Sequence, residues 1–554
     1  MVGAPRIGQA VQREPARPAA HGCHGLTPSP LQWRRGEARM SDGSPTDERA
    51  DPVLTLGMGR RSFMARAALL GLTAATAPVF IAATPRTAPA AGGTRFPGPT
   101  PFNSSEDGST PPVPNLLQQD NAPLDEAARV SHLLWRAGLG ASPGELARFR
   151  EMGLQATIDH LVDFDDIDDG ALEERLAAQE LDLEQSLNQL QRWWLQRMAY
   201  TARPLQEKMT FFWHGILTSS FRIVGKGPYM IEQNRLFREW GMGRYDELLK
   251  AVSRDPAMMT YLDSRSNKKA APNENYSREL MELFTLGIGH YTEEDVRESA
   301  RAFTGWQLSR KRGFYVNAKQ HDNGRKTFLA RRGRFDGDDI VDIIMEQPAA
   351  AEYICNRLWT FFAYPDPEPE VIERLADVFR RNGTEIRPVV RAMLESDEFY
   401  SSRARGALVK SPVELAVGAV RALAVETDFR PLDKPIEQMG QEIFMPPNVA
   451  GWPGGVTWIN SSALLQRVNM AGKIAEARAN RLRFTPTDLV DGRGLRTSAE
   501  IVDFFADLLL GGRLNGAGRD ILTAFLDGMG NVSLDRKLRN VVYLMLASPD
   551  FQVM

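Results

Sequence analysis

The sequence predicts a mainly α protein, a multi-helix globular body with a small β-hairpin insertion near residues 306–335. Three observations carry this. At 554 residues, 43% hydrophobic and 25% charged, the chain can bury a full core. From about residue 123 onward, apolar side chains recur at three- and four-residue spacing in one segment after another. Only 306–335 breaks that rhythm, with short, partly alternating runs split by Lys311-Arg312-Gly313 and Asp322-Asn323-Gly324.

The first 57 residues show little hydrophobic pattern and contain Pro, Gly and acidic residues, so they read as a poorly structured leader, with Met40 and Met58 as alternative starts. Residues 58–90 read as a twin-arginine signal. Arg60 and Arg61 are followed by Ser62, Phe63 and Met64, then a mildly apolar, Ala-rich run that closes on Ala88-Pro89-Ala90, a small-x-small cleavage pattern. Gly59 and Ala65 stand where Ser or Thr and Lys are usual. A retained, uncleaved anchor is the rival reading. Residues 91–122 are rich in Pro, Ser, Gly and Asn and read as a flexible linker. The expected destination is the periplasm or the extracellular space.

Residues 123–554 read as a single helical domain. Leu187, Leu190, Trp194 and Met198 mark an amphipathic helix across 186–203, which Pro204 ends. Helices follow over 205–218, 230–240, 245–252, 274–286 and 293–303, the last opened by Thr292 and Asp295 in a capping box. After the hairpin region they resume at 338 and run through 348–362, 369–381, 387–395 and 412–424. A Pro- and Gly-rich loop, 445–455, precedes helices over 461–481 and three further segments. One short echo, Leu394-Glu395-Ser396-Asp397-Glu398-Phe399 against Leu546-Ala547-Ser548-Pro549-Asp550-Phe551, shares a Leu-x-Ser-x-acid-Phe frame without making a repeat array.

Charge and cysteine content exclude some classes. From residue 91 the chain carries 56 Lys and Arg against 64 Asp and Glu. An acidic body argues against nucleic acid as a partner. No apolar run of about 18 residues occurs after residue 120, which predicts no transmembrane helix in the mature chain. Of the two cysteines, Cys23 lies ahead of the signal and Cys355 in an apolar helix, so no disulfide forms within the mature chain. No dinucleotide fingerprint, Walker loop, nucleophile elbow, haem-attachment or zincin motif is present.

Three segments hold the candidate chemistry. His214 ends Phe211-Phe212-Trp213-His214, a polar ring in an apolar neighbourhood that needs a partner. In Pro272–Glu282, Glu279 and Glu282 share a helical face, with Asn275 one turn earlier. His321, Asp322 and Lys326 put an imidazole, a carboxyl and an amine together in the hairpin region. Gathered in one place, His214, Glu279, Glu282, His321 and Asp322 would hold a divalent metal, or serve hydrolysis as an acid–base set joined by Lys326. The alternative is a buried polar network in which Arg278 or Arg301 neutralises the glutamates to fasten helices. Trp452 and Trp458, in a loop stiffened by Pro and Gly, would stack on a flat ligand or lid the core.

These blocks resemble a bacterial family catalogued as domain of unknown function 1800. The resemblance rests on His132-Leu133-Leu134-x-Arg136-Ala137-Gly138-x-Gly140, Phe212-Trp213-His214, Tyr261-Leu262-Asp263 and the block from Asn273 through Gly305-Trp306. It continues in His321-Asp322-x-Gly324-x-Lys326-Thr327-Phe328, Lys410-Ser411-Pro412-Val413-Glu414, Pro446-Pro447-Asn448-Val449-x-Gly451-Trp452 and Ser548-Pro549-x-Phe551. Ala271 and Ala330 depart from its pattern. The resemblance implies an exported bacterial protein, with a second twin-arginine family related to sulfatases and alkaline phosphatases as its co-exported partner. It implies no assigned reaction. The residues support an enzyme of the cell envelope with metal-assisted or acid–base, hydrolase-like chemistry, or a non-catalytic envelope binding or assembly protein.

Overall fold

Helix starts follow the capping chemistry written in the chain. Ser142 with Glu145, Thr292 with Asp295, Asp336 with Asp339, Ser411 with Glu414 and Thr497 with Glu500 each form a reciprocal capping box, satisfying two backbone donors that a helix start leaves open. Pro at the first turn opens further helices, among them Pro204–Ile216, Pro348–Phe362 and Pro369–Arg381. The computed structural model describes residues 123–554 apart from 185, 310 and 480, and it is mainly α. The leader, signal and linker expectations lie outside the described residues. Among the described residues no helix is long and apolar enough to cross a membrane.

The core is built from aromatic side chains on the amphipathic faces the spacing predicts. Trp194 on Leu187–Tyr200, Trp213 on Pro204–Ile216 and Trp359 on Pro348–Phe362 are wholly buried. Cys355 is buried and unbonded, as its apolar setting implies. The two ends of the sequence echo share more than letters. Ser396 donates to Met393 O at 2.7 Å and Ser548 to Met545 O at 2.8 Å, each closing its helix before a buried Phe. Phe399 then meets His132, and Phe551 meets Trp135, on the same helix, Glu126–Ala137.

The insertion contains two hairpins instead of one. Trp306–Ser309 pairs antiparallel with Gly313–Val316, and Lys326–Phe328 with Arg331–Gly333. Two further departures have physical causes. The helix expected over 461–481 ends at Ala475, because Arg478–Ala479 and Leu482–Arg483 fold back on each other as strands, with Leu482–Arg483 also pairing with Glu426–Thr427. The helix expected over 274–286 is α only across Asn275–Glu279, then widens to a π-helix over Leu280–Thr285. The Leu286 amide reaches back five residues to Met281 O, at 2.8 Å. Such widened turns concentrate at functional sites.

Candidate functional site: a carboxyl pair on a widened helical turn

The two glutamates flank the switch from α to π winding, with Glu279 the last α residue and Glu282 inside the π-turn. Both are half-buried. Burial pushes the Glu279 carboxyl up to about 7, the charge of Glu282 pushes the same way, and Arg278 opposes both. Arg278 itself turns aside, donating to Glu293 at 2.7 and 2.8 Å and approaching Glu274 at 3.4 Å. Glu282 accepts a hydrogen bond from the Tyr291 hydroxyl at 2.8 Å. One carboxyl is therefore anchored and its neighbour is left to titrate. The expected neutralisation of these glutamates by Arg278 does not occur.

Around Glu279 the structure gathers residues that sequence reasoning did not single out. Burial and the Glu279 charge raise the Tyr261 phenol above its ordinary range, and its hydrogen bond with the Thr218 hydroxyl offsets part of that. Thr218 donates to Val449 O at 2.6 Å, which seats the Pro- and Gly-rich loop against the end of Pro204–Ile216. Gly451 approaches Gly215 so closely that a Cβ there would lie 2.4 Å from the Gly215 carbonyl oxygen. Tyr291 was equally hidden in the sequence. Its nine-residue separation from Glu282 becomes a contact only because the chain reverses through Gly287 and Gly289, both at positive φ.

His214 supports this loop from below. Its ring lies among Trp194, Phe444 and Trp452, with centroids 5.1, 5.3 and 5.5 Å away, and Nε2 accepts the Phe444 amide at 3.1 Å. Burial drives its pKa down to about 3, so it stays a neutral acceptor. Phe444 holds φ +64°, a strained value for a bulky residue, and the imidazole bond helps hold it there. Trp452 is half-buried on that ring. Trp458 is buried beside Gly440 and lids the core, so it offers no stacking face.

The hairpin trio forms a closed brace. Arg301 clamps Asp322 at 2.8 Å and Glu298 at 2.6 Å. Burial alone would raise the Asp322 carboxyl, but Arg301 and the Gly324 amide hold it below the ordinary range. Lys326 is buried with its amine on Asp322 O at 2.6 Å, and His321 Nδ1 lies 2.8 Å from Thr304 O. The brace reaches the carboxyl pair through a relay of hydrogen bonds, among them Ser299 Oγ to Ser277 Oγ at 3.0 Å. The Lys269 amide donates to Gln320 O, the Asn273 amide to Asn267 Oδ1, and the Asn275 amide to Asn273 Oδ1. The expected gathering of His214, Glu279, Glu282, His321 and Asp322 around one ion is thus corrected. Among the described residues no three His, Cys, Asp or Glu side chains are placed to hold a metal, since His214 is committed to Phe444 and Asp322 to Arg301.

A concavity of about 870 Å³ opens where the π-turn ends, lined by Leu286, Ile288, His290, Tyr353, Arg357 and Arg380 among others. Tyr353 joins it to the turn, donating to Leu283 O at 2.6 Å, although neither glutamate lines it.

No curated protein and no solved structure matches the chain. Its sequence blocks nevertheless converge on two centres, the carboxyl pair with its loop and brace, and the core behind His132 to Arg136. The model of the family described as protein of unknown function (DUF1800) matches residues 132–553, and the chain belongs to that family.

Proposed function

We propose that the chain is an exported envelope enzyme that performs acid–base, hydrolase-like chemistry at Glu279 and Glu282. The observation that carries this is Glu279 itself. It is a half-buried carboxyl pushed to about 7 beside a second carboxyl, and among the described residues no hydrogen bond lowers it again. A group of that pKa exchanges protons near neutrality with little driving-force loss. As carboxylate, Glu279 takes a proton from an attacking water, and the new hydroxyl oxygen bonds to the substrate's electrophilic centre. As carboxylic acid it returns that proton to the departing group. Glu282, oriented by Tyr291, keeps negative charge beside the reacting centre, and the Thr218-anchored loop supplies the facing wall.

Carboxyl-resolved NMR of the folded chain tests this, with Glu279→Gln to assign the signal. A midpoint near 7 is expected, and one near 4.5 would overturn the reading. On any ester, phosphoester or glycoside that the protein hydrolyses, Glu279→Gln should lower kcat by about 10²–10⁴-fold.

One observation favours the non-catalytic alternative of an envelope binding or assembly protein. Arg301, Asp322, Glu298 and Lys326 form the neutralised, closed network that such a role requires. That network lies in the brace and not at the carboxyl pair.

A further inference from the structure

Four cationic side chains meet in the interior between the first described helix and the end of the chain. Arg136, Lys410 and Arg467 are at most 1% exposed, and Arg513 joins them from the segment after Ser498–Leu510. Each guanidinium has two of its three nitrogens on fixed acceptors. Arg136 donates to Ala363 O at 2.8 Å and to Ala404 O, Arg467 to Lys410 O at 2.8 Å and Gln552 Oε1 at 3.2 Å. Arg513 donates to Asp550 O at 3.2 Å and Val553 O at 3.1 Å. What remains is one buried donor per side chain without a hydrogen-bond partner: Arg136 Nε, Arg467 Nε, Arg513 Nη1 and Lys410 Nζ. The Lys410 ammonium lies 3.9 Å from the Trp135 ring centroid and 3.8 Å from that of Phe551, contacts that favour its positive form.

Anionic compensation is scarce. Glu414 acts on Arg136, Lys410 and Arg467 but is itself paired with the buried Lys208 ammonium, and Asp550 acts on Arg513. Burial pushes Lys410, Arg136, Arg467 and Arg513 below their ordinary ranges, and neighbouring cations add to this at Lys410 and Arg136. Like charges buried without a counter-charge are costly, and several orphaned buried donors together mark a missing acceptor.

We propose that a small spherical anion of the halide class is bound among Arg136, Lys410, Arg467 and Arg513. The shape follows from the donors. A carboxylate or phosphate is recognised by the two-pronged edge of a guanidinium, and here every such edge already has at least one nitrogen on a carbonyl oxygen. One free donor nitrogen from each of four side chains suits a sphere.

The test is to soak crystals of the full chain in bromide and collect data at the bromine absorption edge. An anomalous peak within hydrogen-bonding reach of Lys410 Nζ and at least two of the arginine nitrogens is expected. A second measurement needs no crystal. At fixed ionic strength, replacing gluconate by chloride should raise Tm by about 3 °C in the wild type, and Lys410→Met should abolish the increment. Absence of the bromide peak overturns the proposal, as does a Tm indifferent to chloride. A peak or Tm increment obtained with sulfate or phosphate and not with halide overturns the spherical class.

Discussion

The Glu279–Glu282 carboxyl pair and the Lys208–Glu414 ion pair both place charged side chains inside the fold, yet they resolve their charge in opposite ways. In the ion pair, Glu414 is engaged by the buried Lys208 ammonium and accepts the Ser411 amide at 2.8 Å. At the pair, Glu279 is left half-buried beside another carboxyl, while the nearest arginine pairs elsewhere. The difference teaches where to look for chemistry. A charge with its partners in place fastens structure, whereas a carboxyl pushed up to about 7 and left without a hydrogen bond is set to exchange a proton.

The largest effect should come from breaking the matched side. Glu414→Gln leaves the Lys208 ammonium buried without its partner, and we expect a loss of about 3–5 kcal/mol in denaturant unfolding. A change under about 1 kcal/mol would mean that Lys208 is neutral and the core less charged than described.

The second expectation sharpens the contrast through pH. Folding raises the Glu279 carboxyl from its ordinary range to about 7, so the native state binds the proton more tightly than the unfolded chain. Its contribution is fully present below about 4.5 and is lost as pH rises through about 7. After allowance for solvent screening the loss is of the order of 1 kcal/mol. Glu414 behaves oppositely. Burial would raise it, but Lys208 holds it below the ordinary range, so its contribution is present above about 4.5 and fades on acidification. Unfolding curves for Glu279→Gln should lose the decline between pH 4.5 and 7 and keep the acid limb. A variant that keeps both slopes would erase the distinction.

The smallest effect concerns the anchor. Tyr291→Phe removes one hydrogen bond to a carboxylate and should cost about 1 kcal/mol. It should also change the Glu279 midpoint in the NMR titration, because the two carboxyls sense each other. An unmoved midpoint would separate Glu282 from the site.

The amphipathic faces were readable in advance because burial of Trp194 or Leu190 depends only on helical spacing. The pairing of Glu279 with Glu282 was readable for the same reason. The strands at Arg478–Ala479 and Leu482–Arg483, which pair with each other, were not, since two-residue strands are too short to show alternation and the second partner of Leu482–Arg483, Glu426–Thr427, lies in a distant segment. His214 misled because a ring nitrogen looks alike whether it meets a ligand or the strained amide of Phe444, 230 residues on. His321 and Asp322 did cluster as their spacing indicates. Arg301, on a preceding helix, decided that the cluster would brace the fold.

The π-turn gives this helix an unusual sensitivity to length. A widened turn is equivalent to one residue more than an α-helix of the same rise would hold, so the phase of every side chain after it depends on that surplus. Deleting Leu280 or Met281 would let the helix return to regular winding and leave Glu282 two residues from Glu279, off the shared face and displaced from Tyr291. No chemical group at the pair need be touched. Substitution can tune such a site gradually, but an in-frame codon loss would switch it off in one step, so the residue count across this turn is as much a requirement as the identity of its glutamates.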